Sequence, residues 1–260
     1  MNTATVRNTG ARSIPAPVAR AALVAALIAV WQVAPTVGLL DPRLLPPPSV
    51  VGPMIVQLFG EAGFRGHLAT TLLETLVAFL VSVPVGFIMA ILIGENKYAS
   101  DIFKPLVFFV FSIPKSIFLP LFIFAFGISF HQKVAFGVFS TLFIVMMLSF
   151  AAIESVRRDH LVVARSYGAT RMQTVLRVYL PGMTPVLLEA IRVSMIFNFT
   201  GILLAEMYAS REGLGNVIEQ WGQGFQLDRL MATIVVIAAI AIVFNETIRA
   251  LESRCEHWRE

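Results

Sequence analysis

The chain has 260 residues, of which 57% are hydrophobic and only 14% charged, with a net charge of +4. An average soluble domain is about 25% charged, so a soluble globule of this size would lack the polar side chains to cover its surface. Disorder needs low hydrophobicity and high charge and is excluded as the main state. One cysteine and four scattered histidines exclude a disulfide scaffold and give no metal-ligand spacing. The composition points to an all-α integral membrane protein with no metal site and no cofactor of its own.

Residues 1–20 are polar, carry three arginines and read as a tail. The uncharged run 21–40 is longer than the ~7–15 apolar residues of a signal-peptide core. It matches the ~20 residues a helix needs to cross the hydrocarbon layer. Prolines 42, 46, 47, 48 and 53 predict a stiff extended strap. A short amphipathic helix follows, with Ile55, Leu58 and Phe59 on one face. Further spans are predicted at about 70–94, 105–127, 134–153, 185–207 and 230–248, making six within one permeating domain, 21–250, before a tail at 251–260. Glu74 is expected to face the membrane interface, and Pro84, Pro114 and Pro120 to kink their spans.

The basic residues divide unequally between alternate loops. Thirteen lie on the side holding both termini and the 95–104 and 154–184 loops, against five on the other. The excess of Lys and Arg marks the cytoplasmic face, so both termini are expected in the cytoplasm.

The loop 154–184 carries the densest basic cluster, with five arginines. Its pattern predicts two short helices joined at Gly168, a natural helix C-cap. Asp159 is expected to cap the first helix. Thr170 and Gln173 have the spacing of a capping box for the second, and Met172, Val175, Leu176 and Tyr179 repeat at helical period as an apolar stripe. Pro181 is expected to end this helix. Such a hairpin either lies on lipid headgroups or docks on a partner.

The run V-V-A-R-S-Y-G at 162–168, followed by V-Y-L-P at 178–181, resembles the EAA loop of bacterial ABC importer permeases. Ala164, Gly168, Val178, Leu180 and Pro181 match that pattern, while Val162 stands where it has Glu and Val163 where it has the first Ala. Arg192 in E-A-I-R, A-E-M at 205–207, G-L-G at 213–215, L-L-P-P-P-S at 44–49 and I-P-K at 113–115 look like the sulfonate, taurine and nitrate branch. The resemblance runs over roughly residues 40–250. It implies the type I ABC importer permease fold with six transmembrane helices, a homodimer of permease chains, two copies of a cytoplasmic ATPase using ATP and Mg²⁺, and a periplasmic or lipid-anchored binding protein. It also implies a place in the bacterial inner membrane and a small organic anion or zwitterion as solute. Asp159, Ala164, Arg165, Gly168, Ala169, Arg171, Leu180 and Pro181 are then the expected ATPase-coupling residues. The chain has no Gly-Lys pair and so no loop of the kind that cradles nucleotide phosphates. It is expected to be a transport subunit and not an enzyme.

Intramembrane polar residues are candidates for the translocation path. Lys115, Ser194, Asn198, Thr200 and Glu206 are the candidates here. For Ser194 and Asn198, four apart on one helix face, interhelical hydrogen bonding is the competing role. For Glu206 it is anchoring of the Ser210–Gly215 turn, and for Lys115 snorkelling. Arg192 is placed to pair with Glu189. The competing functional reading is an ion-coupled secondary transporter without an ATPase, which would need a carboxylate such as Glu206 for coupling.

Overall fold

The computed structural model describes residues 15–256, with side chains at all of these except Ala16, Arg158, Arg165, Arg171, Pro185 and residues 251–256. Among the described residues there are helices and turns and no strands. Of the expected tails, 1–20 and 251–260, residues 1–14 and 257–260 lie outside them, whereas 16–20 and 251–256 belong to the first and last helices.

Helix α1 (Ala16–Thr36) ends in a turn at Gly38, whose φ of 79° allows Leu39 and Leu40 to bond back to the Ala34 carbonyl. The proline strap leads into α2 (Pro48–Gly60). Gln32 ties the two together, because its Oε1 accepts from Ser49 N at 3.0 Å and its Nε2 donates to Ser49 Oγ at 3.1 Å. On α2, Val51 and Leu58 are buried, whereas Phe59 is exposed and meets Phe64 edge-on.

Helix α3 (Ala62–Gly94) is followed by α4 (Lys97–Ser112), which Asn96 caps by accepting from Tyr98 N and Ala99 N. The expected span at 105–127 is not one straight helix. A 3₁₀ turn (Lys115–Phe118) and α5 (Leu119–Phe126) leave α4 at 87°. The break sits at Ile113, which is extended because the following Pro114 clashes with a helical predecessor.

Helix α6 (Phe130–Glu154) begins at Ser129, whose Oγ accepts from Gln132 N. The hairpin helices α7 (Arg158–Ser166) and α8 (Arg171–Thr174) follow. The chain then runs unbroken through a π segment (Val175–Tyr179) into α9 (Leu180–Tyr208). Pro181 therefore starts a helix where the sequence reading had it end one. Proline offers no N–H to the turn before it and its ring crowds the carbonyl four residues back. A widened π turn absorbs both defects. Helices α10 (Leu214–Gln223) and α11 (Leu227–Glu256) complete the chain.

By length and hydropathy α1, α3, α6, α9 and α11 can each cross a membrane, and the bent α4–α5 pair brings the number to six. α3, α6 and α9 form the centre. Their backbones approach closely because small residues sit at the crossings. A Cβ on Gly137 would lie 2.6 Å from Ile202 Cδ1, and one on Gly86 would lie 2.8 Å from Val145 Cγ1. One apolar cluster, with Met146, Phe150, Ile153, Val156, Tyr179 and Met183, fills the hairpin end. Another, with Val51, Leu58, Phe64, Leu214 and Val236, fills the far end.

Candidate functional site

The hairpin is built as its local chemistry dictates. Gly168 adopts φ 69°, and Ala169 N then reaches the Ala164 carbonyl at 3.0 Å, closing α7 with a Schellman turn. The capping box of α8 forms in both directions. Thr170 Oγ1 accepts from Gln173 N at 3.3 Å, and Gln173 Oε1 accepts from Thr170 N at 2.8 Å. Asp159 is not the cap of α7. It lies inside the first turn, exposed, and pairs with Arg157 at 3.0 Å, where its charge still favours the positive helix end.

The apolar stripe divides. Val175 and Tyr179 turn into the core, beside Val178, while Met172 stays 67% exposed and Leu176 54%. Val162 and Val163 on α7 and Tyr167 just after it are exposed as well. Ala164 and Pro181 line a cleft of about 680 Å³ between α7 and the start of α9, with Val156, His160 and Arg177. Ala169 and Leu180 are half-buried beside it. The side chains of Arg165 and Arg171 lie outside the described residues.

The five path candidates fall on two different faces. Ser194, Asn198 and Glu206 lie on the packed face of α9 and are fully buried. Asn198 Nδ2 donates to the Thr75 carbonyl at 2.7 Å and its Oδ1 accepts from Thr141 Oγ1 at 3.3 Å, so it joins α9 to both α3 and α6. Ser194 Oγ donates to the Ala190 carbonyl. Thr200 lies on the other side of α9, in a cavity it shares with Lys115. Lys115 folds back on the broken end of α4, donating to the carbonyls of Val110, Phe111 and Ile113. Arg192 lies 3.8 Å from Glu189.

At the far end Glu206 anchors the Ser210–Gly215 turn, as one of its two expected roles had it, within a buried polar network whose other members, Thr71, His67 and the Glu74–Lys133 pair, the sequence did not indicate. Glu206 accepts from Thr71 Oγ1 at 2.7 Å and from Gly215 N at 2.8 Å. Thr71 Oγ1 in turn accepts from Leu214 N at 2.8 Å, and His67 Nδ1 from Gly213 N at 3.0 Å. The first amides of α10, which no helix carbonyl can satisfy, are thus met by side chains of α3 and α9. Gly213 holds φ 105°, and a Cβ there would overlap the Glu206 carboxylate. Beside this junction Glu74 forms an ion pair with Lys133, which is only 4% exposed and also bonds Ser210 Oγ at 3.0 Å. Glu74 therefore faces the bundle interior, correcting its expected place at the interface. The only sequence signal was the presence of opposite charges at the starts of two apolar helices. Nothing local paired them.

This architecture has close counterparts. Residues 82–256 match the family of binding-protein-dependent transport system inner membrane components. The taurine transport system permease protein TauC of Escherichia coli (strain K12) is 30% identical over 239 residues, covering 90% of this chain and 87% of that protein. The permease protein SsuC of Bacillus subtilis (strain 168), named for aliphatic sulfonates transport, is 27% identical over 237 residues, covering 91% and 86%. A chain from the inward facing MetNI methionine ABC transporter superposes with a TM-score of 0.63 at 20% identity, covering 78% of this chain and 98% of that one. A chain from a bacterial ABC transporter involved in import of the polysaccharide alginate gives 0.67 at 17% identity, covering 91% and 95%. The chain belongs to the binding-protein-dependent transport system inner membrane component family and is a permease of an ABC importer with the type I fold.

Proposed function

We propose that two copies of this chain form the translocation path of an importer in the bacterial inner membrane, with the hairpin and both termini on the cytoplasmic side. Each hairpin seats on one of two cytoplasmic ATPase subunits, which bind and hydrolyse ATP with Mg²⁺. A periplasmic or lipid-anchored binding protein delivers the solute to the far end. The coupling residues are Asp159, Ala164, Gly168, Ala169, Leu180 and Pro181, with Arg165 and Arg171. The observation that carries this reading is the exposed apolar set Val162, Val163, Tyr167, Met172 and Leu176 on a hairpin whose second limb runs unbroken into α9. A headgroup-lying helix needs no rigid link to a span. A coupling element does, because closure of the ATPase pair must move α9 and so shift the inward-open and outward-open populations.

The solute is a small organic anion or zwitterion of the alkanesulfonate, taurine or nitrate-like kind. The names of the taurine and aliphatic sulfonate relatives support this class. Lys115 and Thr200 line the path where it passes, Lys115 through its charge, whereas Ser194, Asn198 and Glu206 hold the path's wall in register through the hydrogen bonds above. An ion-coupled carrier loses its coupling group on this assignment, since the Glu206 carboxylate is committed to Thr71 and Gly215.

The test is reconstitution of the chain with its ATPase and loaded binding protein in vesicles. ATP-dependent uptake of taurine or an alkanesulfonate is expected. Uptake without ATP, or a folded chain that captures no ATPase, would refute the coupling role. Cross-linking that traps two unlike permeases would refute the homodimer.

A further inference from the structure

We propose that the cavity at the α4–α5 break is an oxyanion site on the solute's path, where the Ser140 and Ser116 hydroxyls donate to the anion beside the positive charge of Lys115. The inference rests on the oxyanion class of solute put forward above. It adds Ser140 and Ser116, which no sequence pattern singled out. The cavity holds about 270 Å³, and Lys115, Ser116, Ser140, Phe197, Thr200 and Gly201 line it. These residues come from the break, α6 and α9. No carboxylate is among the residues that line the cavity.

Ser140 is the residue that marks the site. It is 5% exposed, and its Oγ has no hydrogen-bond partner among the described residues. A buried polar atom left unmet asks for an explanation, and beside a cavity a bound ligand is the natural one. The usual escape for a helical hydroxyl is to donate to a carbonyl one turn back, and its neighbours do so. Thr141 donates to Gly137 O at 2.7 Å, Ser194 to Ala190 O at 2.6 Å and Thr200 to Ile196 O at 2.8 Å. Ser140 does not. Gly201 packs directly against this buried hydroxyl, since a Cβ there would sit 3.0 Å from both Ser140 Cβ and Oγ, so only the thin glycine wall of α9 stands against it.

Lys115 has a different part. Its three ammonium protons go to Val110 O, Phe111 O and Ile113 O at 3.2, 2.5 and 2.9 Å, and its Nζ lies 4.7 Å from the Phe111 ring centroid. It is fixed in place and has no proton left for an anion. What it contributes is charge, which offsets the negative end of α4 and keeps the cavity from repelling an anion. Ser116 is exposed to the cavity, and its hydroxyl has no partner among the described residues. Two neutral donors beside a committed cation hold an anion weakly. A path needs that balance, favourable enough for entry and weak enough for release.

The test uses the full permease–ATPase complex with Cys255→Ser and Ser140→Cys. The new thiol is modified with 2-sulfonatoethyl methanethiosulfonate, itself a small sulfonate, or with cationic 2-aminoethyl methanethiosulfonate. Rates are normalised to those on a free thiol. The anionic reagent is expected to react about tenfold faster or more. The preference should survive Lys115→Arg and fall to parity in Lys115→Gln. Because Lys115→Gln also removes the cap of α4, Ser116→Asp serves as a second variant and should likewise abolish the preference. Parity between reagents, faster cationic modification, no modification by either, or a preference that persists in both Lys115→Gln and Ser116→Asp overturns the proposal. The two readings fail separately. Anionic preference without uptake of any oxyanion sinks the solute class and leaves the site, whereas oxyanion uptake without the preference sinks the site alone.

Discussion

Replacing Gly215 by alanine tests the packing of the far end. An alanine Cβ at this position would lie 2.7 Å from Glu206 Cβ and 3.0 Å from Met207 N, and would overlap the Leu203 carbonyl oxygen. All three belong to α9 close to its backbone, so no side-chain rotation relieves them. The start of α10 must back away, stretching the 2.8 Å bond from Gly215 N to Glu206 Oε2 and the neighbouring bond from Leu214 N to Thr71 Oγ1. Overpacking of this kind costs about 1–3 kcal/mol, and loss of a hydrogen bond to a charged group about 1.5–3 kcal/mol. Alanine recovers at most about 1 kcal/mol of helix propensity. The net loss is about 2–5 kcal/mol, which lowers the melting temperature by about 4–20 °C at roughly 2–4 °C per kcal/mol. Trp221, stacked on Phe64 at 6.2 Å, gives α10 its own fluorescence reporter for a melt in detergent. Gly52→Ala is the control. Its Cβ meets nothing within 4 Å, so the melting point should hold or rise. A Gly215→Ala protein that melts within about 1 °C of the parent would refute the reasoning.

Gly168→Ala meets no neighbour and strains only the backbone, since φ there is 69°. The left-handed cost of about 1–2 kcal/mol should reduce ATPase capture about 5–30-fold, with Gly168→Asn milder in the same pull-down. Met172→Glu, on a side chain 67% exposed, should change the melting free energy by less than about 0.5 kcal/mol. ATP-driven uptake by that variant should nevertheless fall sharply in vesicles. Lys133→Met leaves the Glu74 carboxylate buried without its partner and should cost about 3–5 kcal/mol. Adding Glu74→Leu should restore most of this, and a double-mutant cycle by thermal melting measures the coupling.

Features decided within a few residues of one another were legible in the sequence. The Thr170–Gln173 capping box, the αL turn at Gly168 and the apolar helices all follow from neighbours in the chain. Errors arose where a local rule met a longer-range constraint. Pro181 breaks a helix by itself, yet the π segment carries the chain past it into α9. Pro114 announced a kink, but not the 87° turn or the carbonyls that Lys115 satisfies there. The stripe at 172–179 has one period, and the core claimed only Val175 and Tyr179 from it.

Composition and periodicity thus carried the class, the spans and the hairpin, because the cost of placing backbone and charge in hydrocarbon is written residue by residue. They could not say which face of a span looks inward. Lipid is as apolar as a protein core, so α6 and α11 are equally hydrophobic although α6 is central and α11 peripheral. Only packing separated them. Packing also brought Glu74 to Lys133 and Glu206 to Thr71, and left the buried Ser140 hydroxyl without a partner beside the cavity at the α4–α5 break. Those pairings depend on where three helices cross, and the crossing depends on small residues whose meaning appears only when their neighbours are known.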